Sequence, residues 1–447
     1  MENKYLPKYH VPAEDVIDEL KKYMLVDGFD IVLDLLESNG ARFVEARTGR
    51  RFLDFFTCFA SLPVGMNHPK MTDDLYIRYL GEVSLNKPSN SDIYTEVMAS
   101  FVKTFFKIAV PPQFKYSFFI SGGALAVENA LKTAFDWKVR QNFRKGSRDE
   151  KGHQIIHFRQ AFHGRSGYTM SLTNTDPAKT NYYPKFNWPR IENPFLNFPL
   201  SEQSLTAAIA AEIRAVDSIK QAFIDNKDDI AAIIIEPIQG EGGDNHFRTE
   251  FMQSLRNIAD ENDALLIFDE IQTGAGITGK WWAHQHYGVT PDIMTFGKKM
   301  QICGIIVTDR IDKEPDNVFK TSSRINSTWG GNLVDMARAT RYLELIEEES
   351  MVENARIQGE YLLSRLEGFA NEFPDLVSNP RGKGLFCAFD LPDTAIRNKI
   401  RERVYDNGLL ILPCGSRSLR FRSALNVTRK LLEEGLDIIH ESLKEKN

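Results

Sequence analysis

The 447-residue sequence has no long apolar run, few cysteines and no excess of positive charge. Its longest apolar stretches, at 231–235 and 264–268, have the length of strands, whereas a transmembrane helix needs about 20 apolar residues. Because 61 Asp and Glu outnumber 55 Lys and Arg, the net charge of −6 argues against a nucleic-acid coat protein or a binder of anionic membranes. The four cysteines lack CxxC spacing, which excludes a disulfide scaffold and a zinc ribbon. The first ten residues have no apolar core, so we expect no secretory signal and a cytoplasmic location.

Through the middle of the chain, strand-like segments alternate with helix-like ones. Six short runs rich in β-branched and aromatic residues are typical of buried strands, at 116–120, 155–158, 231–235, 264–268, 293–296 and 304–307. After Gly123, and again after Arg248, apolar residues recur at helical spacing. Continuous apolar strands that alternate with helices predict the α/β class, with a mainly parallel sheet covered by helices on both faces.

The pattern changes near residue 326, where helices begin to dominate. From there the sequence predicts two long helices and two short strands, at 332–349, 351–372, 384–389 and 418–422. The first 70 residues, with a predicted helix at 13–24 and a hairpin at 41–56, are too few for a large core of their own. We therefore expect a large domain at 71–325, a smaller α+β domain at 326–447, and an N-terminal segment at 1–70 that packs with the smaller domain.

A small-residue turn follows the first predicted strand of the sheet. The sequence S-G-G-A at 121–124 opens a helix, so glycine backbone and unpaired first-turn N–H groups would form a cradle for a phosphate. The turn is neither GxGxxG nor a Walker A sequence. Glycine-rich turns also serve close packing, so this feature alone leaves both interpretations open.

Two further strands end in charged residues, at the edge where open α/β sheets bind ligands. The segment L-L-I-F-D-E at 265–270 places two acidic residues after an apolar strand. A carboxylate there either caps a helix or forms a salt bridge, or it faces a cationic ring nitrogen of a ligand. The segment D-I-M-T-F-G-K-K at 292–299 places two lysines after another strand. A lysine there is either a surface residue or a desolvated amine able to form a Schiff base, and spacing does not decide between Lys298 and Lys299.

The segment Q-A-F-H-G-R-S-G at 160–167 also follows a strand and offers an aromatic ring, a histidine and an arginine. Each has a purely structural alternative, and no second His or Cys lies at metal-ligand spacing from His163, so we predict no metal site. A phosphate cradle, an aromatic ring, an acid and a lysine, each after a different strand, form the set that a pyridoxal 5′-phosphate (PLP) site requires.

The sequence resembles the class III, fold-type I, PLP-dependent aminotransferases over essentially its whole length. The most specific motifs are D-E-I-Q-T-G-A-G-I-T-G at 269–279, P-D-I-M-T-F-G-K at 291–298 and S-T-W-G-G-N at 327–332. Within the family it is most similar to the lysine ε-aminotransferases, through A-F-H-G-R-S-G-Y-T at 161–169 and P-I-Q-G-E-G-G-D at 237–244.

The resemblance implies a role for each residue around the PLP ring. Lys298 corresponds to the Schiff-base lysine, and Asp269 to the carboxylate that faces the ring nitrogen. Gln272 corresponds to the residue hydrogen-bonded to the ring oxygen. Phe162 and Ile271 correspond to the side chains on either side of the ring.

The phosphate contacts implied by the resemblance come from two subunits. Gly123 and Ala124 correspond to the phosphate-binding backbone. Thr328 corresponds to a threonine whose hydroxyl reaches the phosphate bound in the other subunit, which implies a homodimer with active sites at its interface.

The resemblance also implies substrate contacts. Arg165 corresponds to the arginine that takes the distal carboxylate, and Arg420 to the one that takes the α-carboxylate of glutamate, with Arg422 a weaker candidate. Glu241 corresponds to a carboxylate that masks this arginine, and Asn326 lies in a motif that we expect to contact substrate.

The implied activity is transfer of the ε-amino group of L-lysine to 2-oxoglutarate, giving 2-aminoadipate 6-semialdehyde, which cyclises, and L-glutamate. An ω-aminotransferase acting on ornithine, 4-aminobutyrate or a diamine would use the same chemistry. A PLP-binding regulator usually carries a DNA-binding module, for which we find no basic segment. A nucleotide-binding dehydrogenase would be expected to show GxGxxG. The family's Pro-Pro after Arg420 is replaced by Ser423-Ala424, so the local backbone there is not specified by the resemblance.

Overall fold

The computed structural model describes residues 5–445, with fourteen strands among them. Numbered along the chain, they are β1 Arg42–Val44, β2 Arg51–Asp54, β3 Phe114–Ile120, β4 Gln154–Phe158, β5 Arg190–Ile191, β6 Ile230–Ile235, β7 Leu265–Asp269, β8 Ile293–Phe296, β9 Cys303–Thr308, β10 Ser378–Lys383, β11 Phe386–Asp390, β12 Leu409–Leu410, β13 Leu412–Cys414 and β14 Ser418–Phe421. The six strands predicted in the middle of the chain are confirmed to within two residues at each end.

A seven-stranded sheet forms the centre of the molecule, in the order β3-β9-β8-β7-β6-β4-β5. Strands β4 to β8 run parallel, and β9 runs antiparallel to both of its neighbours. All six residues of β6 are buried, which explains why its sequence is continuously apolar. The mainly parallel α/β sheet that the sequence predicted is therefore confirmed.

Helices cover both faces of this sheet, and other helices pack against the four-stranded sheet of the C-terminal part. The α-helices of at least six residues are Val16–Lys21, Asp74–Ser84, Glu96–Ile108, Gly123–Arg144, Glu202–Asp225, Thr249–Glu261, Leu333–Glu348, Met351–Glu372, Thr394–Asp406 and Arg429–Lys444. Single turns of helix lie at Ala13–Asp15, Thr169–Leu172, Pro177–Thr180, Ala283–His286, Lys298–Met300 and Asp309–Lys313. Within residues 5–445, no helix is both long and apolar enough to span a membrane.

Alternate residues of the central strands point to opposite helical layers. Ile233 and Ile235 pack with Leu255 in the core that lies under the helices Glu202–Asp225 and Thr249–Glu261. Ile234 packs with Leu131 in the core on the other face, under the helix Gly123–Arg144. The strand ends between these layers are left free to carry polar side chains.

The C-terminal part forms a smaller α+β unit. Strands β10, β11, β14 and β13 make an antiparallel sheet, and the helices of this part share an apolar core with it. The two long helices predicted at 332–349 and 351–372 are confirmed as Leu333–Glu348 and Met351–Glu372. Strand β12 pairs with β2, which joins residues near 53 to residues near 409.

The helix predicted at 13–24 is shorter than expected. Its α-helical part spans only Val16–Lys21, after one turn of 3₁₀ helix. None of its residues is buried, so no packed face stabilises additional turns, and isolated short helices are marginal in water.

A left-handed turn at Thr57–Ala60 follows β2. Its four residues have φ values of 43°, 50°, 59° and 67°, a conformation that L-residues seldom adopt in succession. The Asp54 carboxylate accepts hydrogen bonds from the backbone N–H groups of Phe56 and Thr57, at 2.8 and 2.7 Å. Burial of this carboxyl group raises its pKa to about 6.

Candidate active site

The carboxyl ends of the central strands open into a cavity of about 540 Å³, a size common for small-molecule sites. It is lined by Ser61, Gly123, Ala124, Phe162, His163, Gly164, Arg165, Glu236, Asp269, Ile271, Gln272, Lys298, Gln301 and Cys303. Most of the residues implied by the family resemblance are thus brought to one place. Glu241 and Arg420 line an adjoining cavity of about 700 Å³, in which Phe59 also takes part.

Asp269 lies at the carboxyl end of β7 and is held by three donors. Thr295 on the neighbouring strand β8 donates its hydroxyl at 2.9 Å, and the backbone N–H of Ile271 donates at 3.1 Å to the same oxygen. The second oxygen lies 2.8 Å from Nδ1 of His163. Since a carboxylate only accepts hydrogen bonds, Nδ1 carries the proton in this contact. These donors fix the position of the Asp269 carboxyl group in the lining of the cavity.

Lys298 follows β8 and Gly297, and its backbone has a φ of 51°. Burial, together with the positive charges of Arg420 and Arg422, lowers the pKa of its amine from 10.5 to about 8. A substantial fraction of this amine is therefore neutral near physiological pH, as a nucleophile requires.

The neighbouring Lys299 is directed elsewhere. It is 2% exposed, and its amine donates to the carbonyl of Ala60 at 3.1 Å, at the end of the left-handed turn. Gln301 donates in the same way to the carbonyl of Ser61, at 2.7 Å. Of the two adjacent lysines, Lys298 is therefore the one whose side chain lines the cavity, while Lys299 holds the turn.

The turn after β3 has the geometry of an anion cradle. Gly122 has a φ of 106°, and the 22-residue helix Gly123–Arg144 begins directly after it. A Cβ at Gly123 would lie 3.2 Å from Cδ1 of Ile271, and one at Gly164 would lie 2.5 Å from Cβ of Ala124. The glycines thus permit close packing around a helix N-terminus, where unpaired N–H groups favour a phosphate.

Gln272 connects the cavity to two arginines. Its side-chain oxygen accepts from Nη1 of Arg420 at 3.1 Å, and from Nε and Nη2 of Arg422 at 3.1 and 2.8 Å. Arg420 is 5% exposed, and its pKa is lowered by burial and by the charge of Arg422. Within residues 5–445, Nε of Arg420 is buried and has no hydrogen-bond partner, so the hydrogen-bonding capacity of this guanidinium is not fully used.

The expected pairing of Glu241 with Arg420 is not formed among the described residues. The Glu241 carboxylate instead contacts the amine of Lys179, and it accepts the hydroxyl hydrogen bond of Thr175 at 3.0 Å. Lys179 belongs to the helical turn Pro177–Thr180 and is only partly buried, so pairing there leaves less charge desolvated than pairing at Arg420. Glu241 and Arg420 still border the same cavity.

The remaining predicted residues lie at the edge of the site or outside it. Arg165 lines the main cavity and is exposed. Asn326 and Thr328 are also exposed and border neither cavity of this chain. The oxygen of the Asn326 side chain accepts from the N–H of Ser327, at 2.8 Å.

Several residues of the site were not singled out from the sequence. Glu236, at the end of β6, accepts the N–H groups of Phe162 and Gly240 at 2.9 and 3.0 Å, and burial raises its pKa to about 7. Thr295 pairs in register with Asp269 on the adjacent strand. Glu236 could have been found from the sequence, because it is an acidic residue directly after an apolar strand. Thr295 could not, because its contact with Asp269 depends on the register between β7 and β8.

The profile of the family "Aminotransferase class-III" matches residues 25–443. The chain therefore belongs to the class III aminotransferases and is a PLP-dependent enzyme. It is 50% identical over 429 residues to the L-lysine-epsilon aminotransferase of Mycobacterium tuberculosis (strain ATCC 25618 / H37Rv), covering 96% of this chain and 95% of that protein. It is 48% identical over 433 residues to the L-lysine-epsilon aminotransferase of Streptomyces clavuligerus, covering 96% and 94%. The crystal structure of a lysine aminotransferase from M. tuberculosis superimposes with a TM-score of 0.95 at 49% identity, covering 97% of this chain and 99% of that one.

Proposed function

We propose that this protein transfers the ε-amino group of L-lysine to 2-oxoglutarate, giving 2-aminoadipate 6-semialdehyde, which cyclises, and L-glutamate. The observation that carries the proposal is the shared cavity: a Lys298 amine of lowered pKa lies in the same cavity as the anchored Asp269, and Arg165 also lines it. The relatives of about 50% identity, which are named for lysine ε-transamination, support the choice of lysine.

The residues present fit PLP. The glycine cradle and the start of the helix Gly123–Arg144 suit its phosphate, with Ala124 in the first turn. Asp269 suits the protonated ring nitrogen, and Phe162 and Ile271 suit the faces of the ring. When bound, PLP supplies an electron sink that stabilises negative charge on the substrate carbon.

Two residues of the chain act directly in the reaction: Lys298 transfers a proton, and Asp269 stabilises a positive charge. Lys298 is the nucleophile that holds the cofactor at rest, and its released amine then moves a proton at the substrate carbon as general base and acid. Three donors fix the Asp269 carboxylate in place, where it would favour positive charge on the ring nitrogen of bound PLP.

Three side chains orient the two substrates. Arg165, exposed at the cavity, holds the α-carboxylate of lysine and so directs the distal amine inward. Arg420 binds the α-carboxylate of 2-oxoglutarate, since a guanidinium forms strong charge-assisted hydrogen bonds with a carboxylate. Glu241 contacts Lys179 and borders the same cavity as Arg420; it masks the arginine during the lysine half-reaction, for which it must leave Lys179.

The site is proposed to be completed in a homodimer located in the cytoplasm. Thr328 and Asn326 are exposed and lie outside the cavities of their own chain, which suits a role at the partner's site. We assign the hydroxyl of Thr328 to the PLP phosphate of the partner and Asn326 to a substrate contact. We retain residues 1–70, 71–325 and 326–447 as the N-terminal segment, the large domain and the small domain.

The test is product analysis of the PLP-loaded protein with 2-oxoglutarate and a panel of amines. We expect glutamate together with a product that reacts with 2-aminobenzaldehyde, as cyclised semialdehyde does, and lysine as the preferred amine. Higher activity with ornithine, 4-aminobutyrate or a diamine would show that this amine, and not lysine, is the preferred amino donor. Absence of glutamate with every amine would refute the proposed reaction with 2-oxoglutarate.

A further inference from the structure

Arg422 and Asp244 form a buried ion pair beside Gln272. Their side chains are 1% and 0% exposed, and the contact is bidentate, with Nη2–Oδ1 at 2.5 Å and Nη1–Oδ2 at 2.9 Å. The guanidinium carbon also lies 3.5 Å from the centre of the Phe386 ring. The position of the Arg422 guanidinium is therefore fixed on two sides, and its charge is balanced by Asp244.

This fixed guanidinium determines which end of the Gln272 amide faces the cavity. Nε and Nη2 of Arg422 and Nη1 of Arg420 all point at one atom of the amide, at 2.8 to 3.1 Å. Arginine only donates hydrogen bonds, so that atom has to be the oxygen, and the NH₂ group is the end left for the cavity. Gly240 leaves room for the amide itself, since a Cβ there would lie 2.2 Å from its oxygen and 2.7 Å from its nitrogen.

We propose that the Asp244–Arg422 pair is a positioning device, which fixes the Gln272 amide with its NH₂ group toward the cavity. The site then offers a donor to an oxygen acceptor on the ring of its ligand. This inference rests on the proposed function, because the acceptor is taken to be the ring oxygen of PLP. It also separates the two arginines: Arg422 is neutralised and structural, and Arg420 is left to bind a carboxylate.

The test is the pH dependence of the visible absorption of bound PLP in the double variant Asp244→Ala/Arg422→Met. Both partners are removed together, so neither charge is left buried alone, and buried ion pairs are often replaced by apolar residues without loss of folding. Since the charge of Arg422 itself lowers the pKa of Lys298, the comparison with Gln272→Leu assigns the shift to the amide. We expect the apparent pKa of the absorption change to rise by about one unit, because a donor to the ring oxygen anion is no longer held in place. A value equal to that of the wild type would overturn the inference.

Gln272→Leu tests whether the shift passes through the amide. Alone it should reproduce the rise, and combined with the double variant it should add nothing further, because both changes remove one interaction. Additive shifts would overturn the inference. Asp292→Ala/Arg256→Met is the matched control: it removes a partly buried ion pair at the amino end of β8 and should leave the pKa unchanged.

Two further results distinguish a failure of this inference from a failure of the proposed function and from misfolding of the double variant. If wild-type protein develops no visible absorption with PLP, the proposed function fails. If the double variant does not fold, Arg422→Lys decides, since lysine pairs with Asp244 but has no planar fork for Gln272. A rise with Arg422→Lys supports the positioning role, and an unchanged pKa overturns it.

Discussion

The pKa of Lys298 leads to a prediction about how the apo-protein takes up its cofactor. Burial and the charges of Arg420 and Arg422 lower this pKa from 10.5 to about 8. At pH 7 such an amine is neutral in roughly one molecule in ten, compared with about one in 3,000 for a lysine of pKa 10.5. Because the neutral amine is the reacting form, the rate of covalent PLP capture should rise from pH 6, reach half its maximum near pH 8 and level off above about pH 9.

The assay is to mix apo-protein with PLP at a series of pH values, to stop each reaction with borohydride and to map the modified peptide by mass. We expect the label on Lys298, with half-maximal capture near pH 8. Arg420→Met removes one positive charge from beside the amine, so its half-maximum should move to higher pH. Lys115→Met, at an exposed lysine paired with Asp312, is the control and should not change the profile.

A capture rate that still rises steeply above pH 9 in the wild type would show that the cavity does not lower the pKa of Lys298. A label on Lys299 would refute the assignment of the nucleophile, because that side chain is turned toward Ala60.

Three further outcomes are expected. Apo Lys298→Met should be more stable than the wild type at pH 7 by up to about 3 kcal/mol, because a buried ammonium is removed. This difference in the free energy of unfolding should shrink as the pH rises from about 8 toward 10.5, where the wild-type amine becomes neutral in the folded protein. Denaturant titrations that show the same difference at every pH would contradict the prediction. Thr328→Val should loosen PLP by up to ~100-fold in equilibrium dialysis, since a hydrogen bond to a charged group contributes about 1.5–3 kcal/mol. Heterodimers of that chain with Lys298→Ala should contain one intact site, and no recovery of PLP affinity would argue against a shared site. Arg420→Ala should slow the single-turnover reaction with 2-oxoglutarate far more than that with lysine. Glu241→Ala should raise the share of product formed by transfer of the α-amino group. Equal losses of both rates in Arg420→Ala, together with an unchanged product ratio in Glu241→Ala, would show that these two residues do not form a switch.

The sheet was predictable because its strands are buried on both faces. A run such as 231–235 is apolar throughout, and the observed strand Ile230–Ile235 differs from it by one residue. Helix length was less predictable where no side chain is buried, as at Val16–Lys21. Burial of this kind is decided by the tertiary structure, so the local pattern alone gave too long a helix.

Side-chain partners in the site depend on contacts far apart in the sequence. Glu241 contacts Lys179, 62 positions away, and Arg422 contacts Asp244, 178 positions away. No local pattern distinguishes these partners from the other charges nearby. The motifs therefore indicated which residues gather at the strand ends, but not which arginine is neutralised and which remains free.

The left-handed turn at Thr57–Ala60 has a consequence for the order of folding. A left-handed conformation costs roughly 1–2 kcal/mol per L-residue, so four such residues in succession do not form a stable local structure. Besides Asp54 and the turn's own backbone hydrogen bonds, distant residues contribute. Lys299 donates to Ala60 and Gln301 to Ser61, 239 and 240 positions apart, and the Thr57 hydroxyl donates to the carbonyl of Arg422, 365 positions away. Closing so long a loop is a late and cooperative event. We therefore expect the turn at Thr57–Ala60 and the loop that carries Lys298 to form together, and neither to reach its final shape while the other is unfolded.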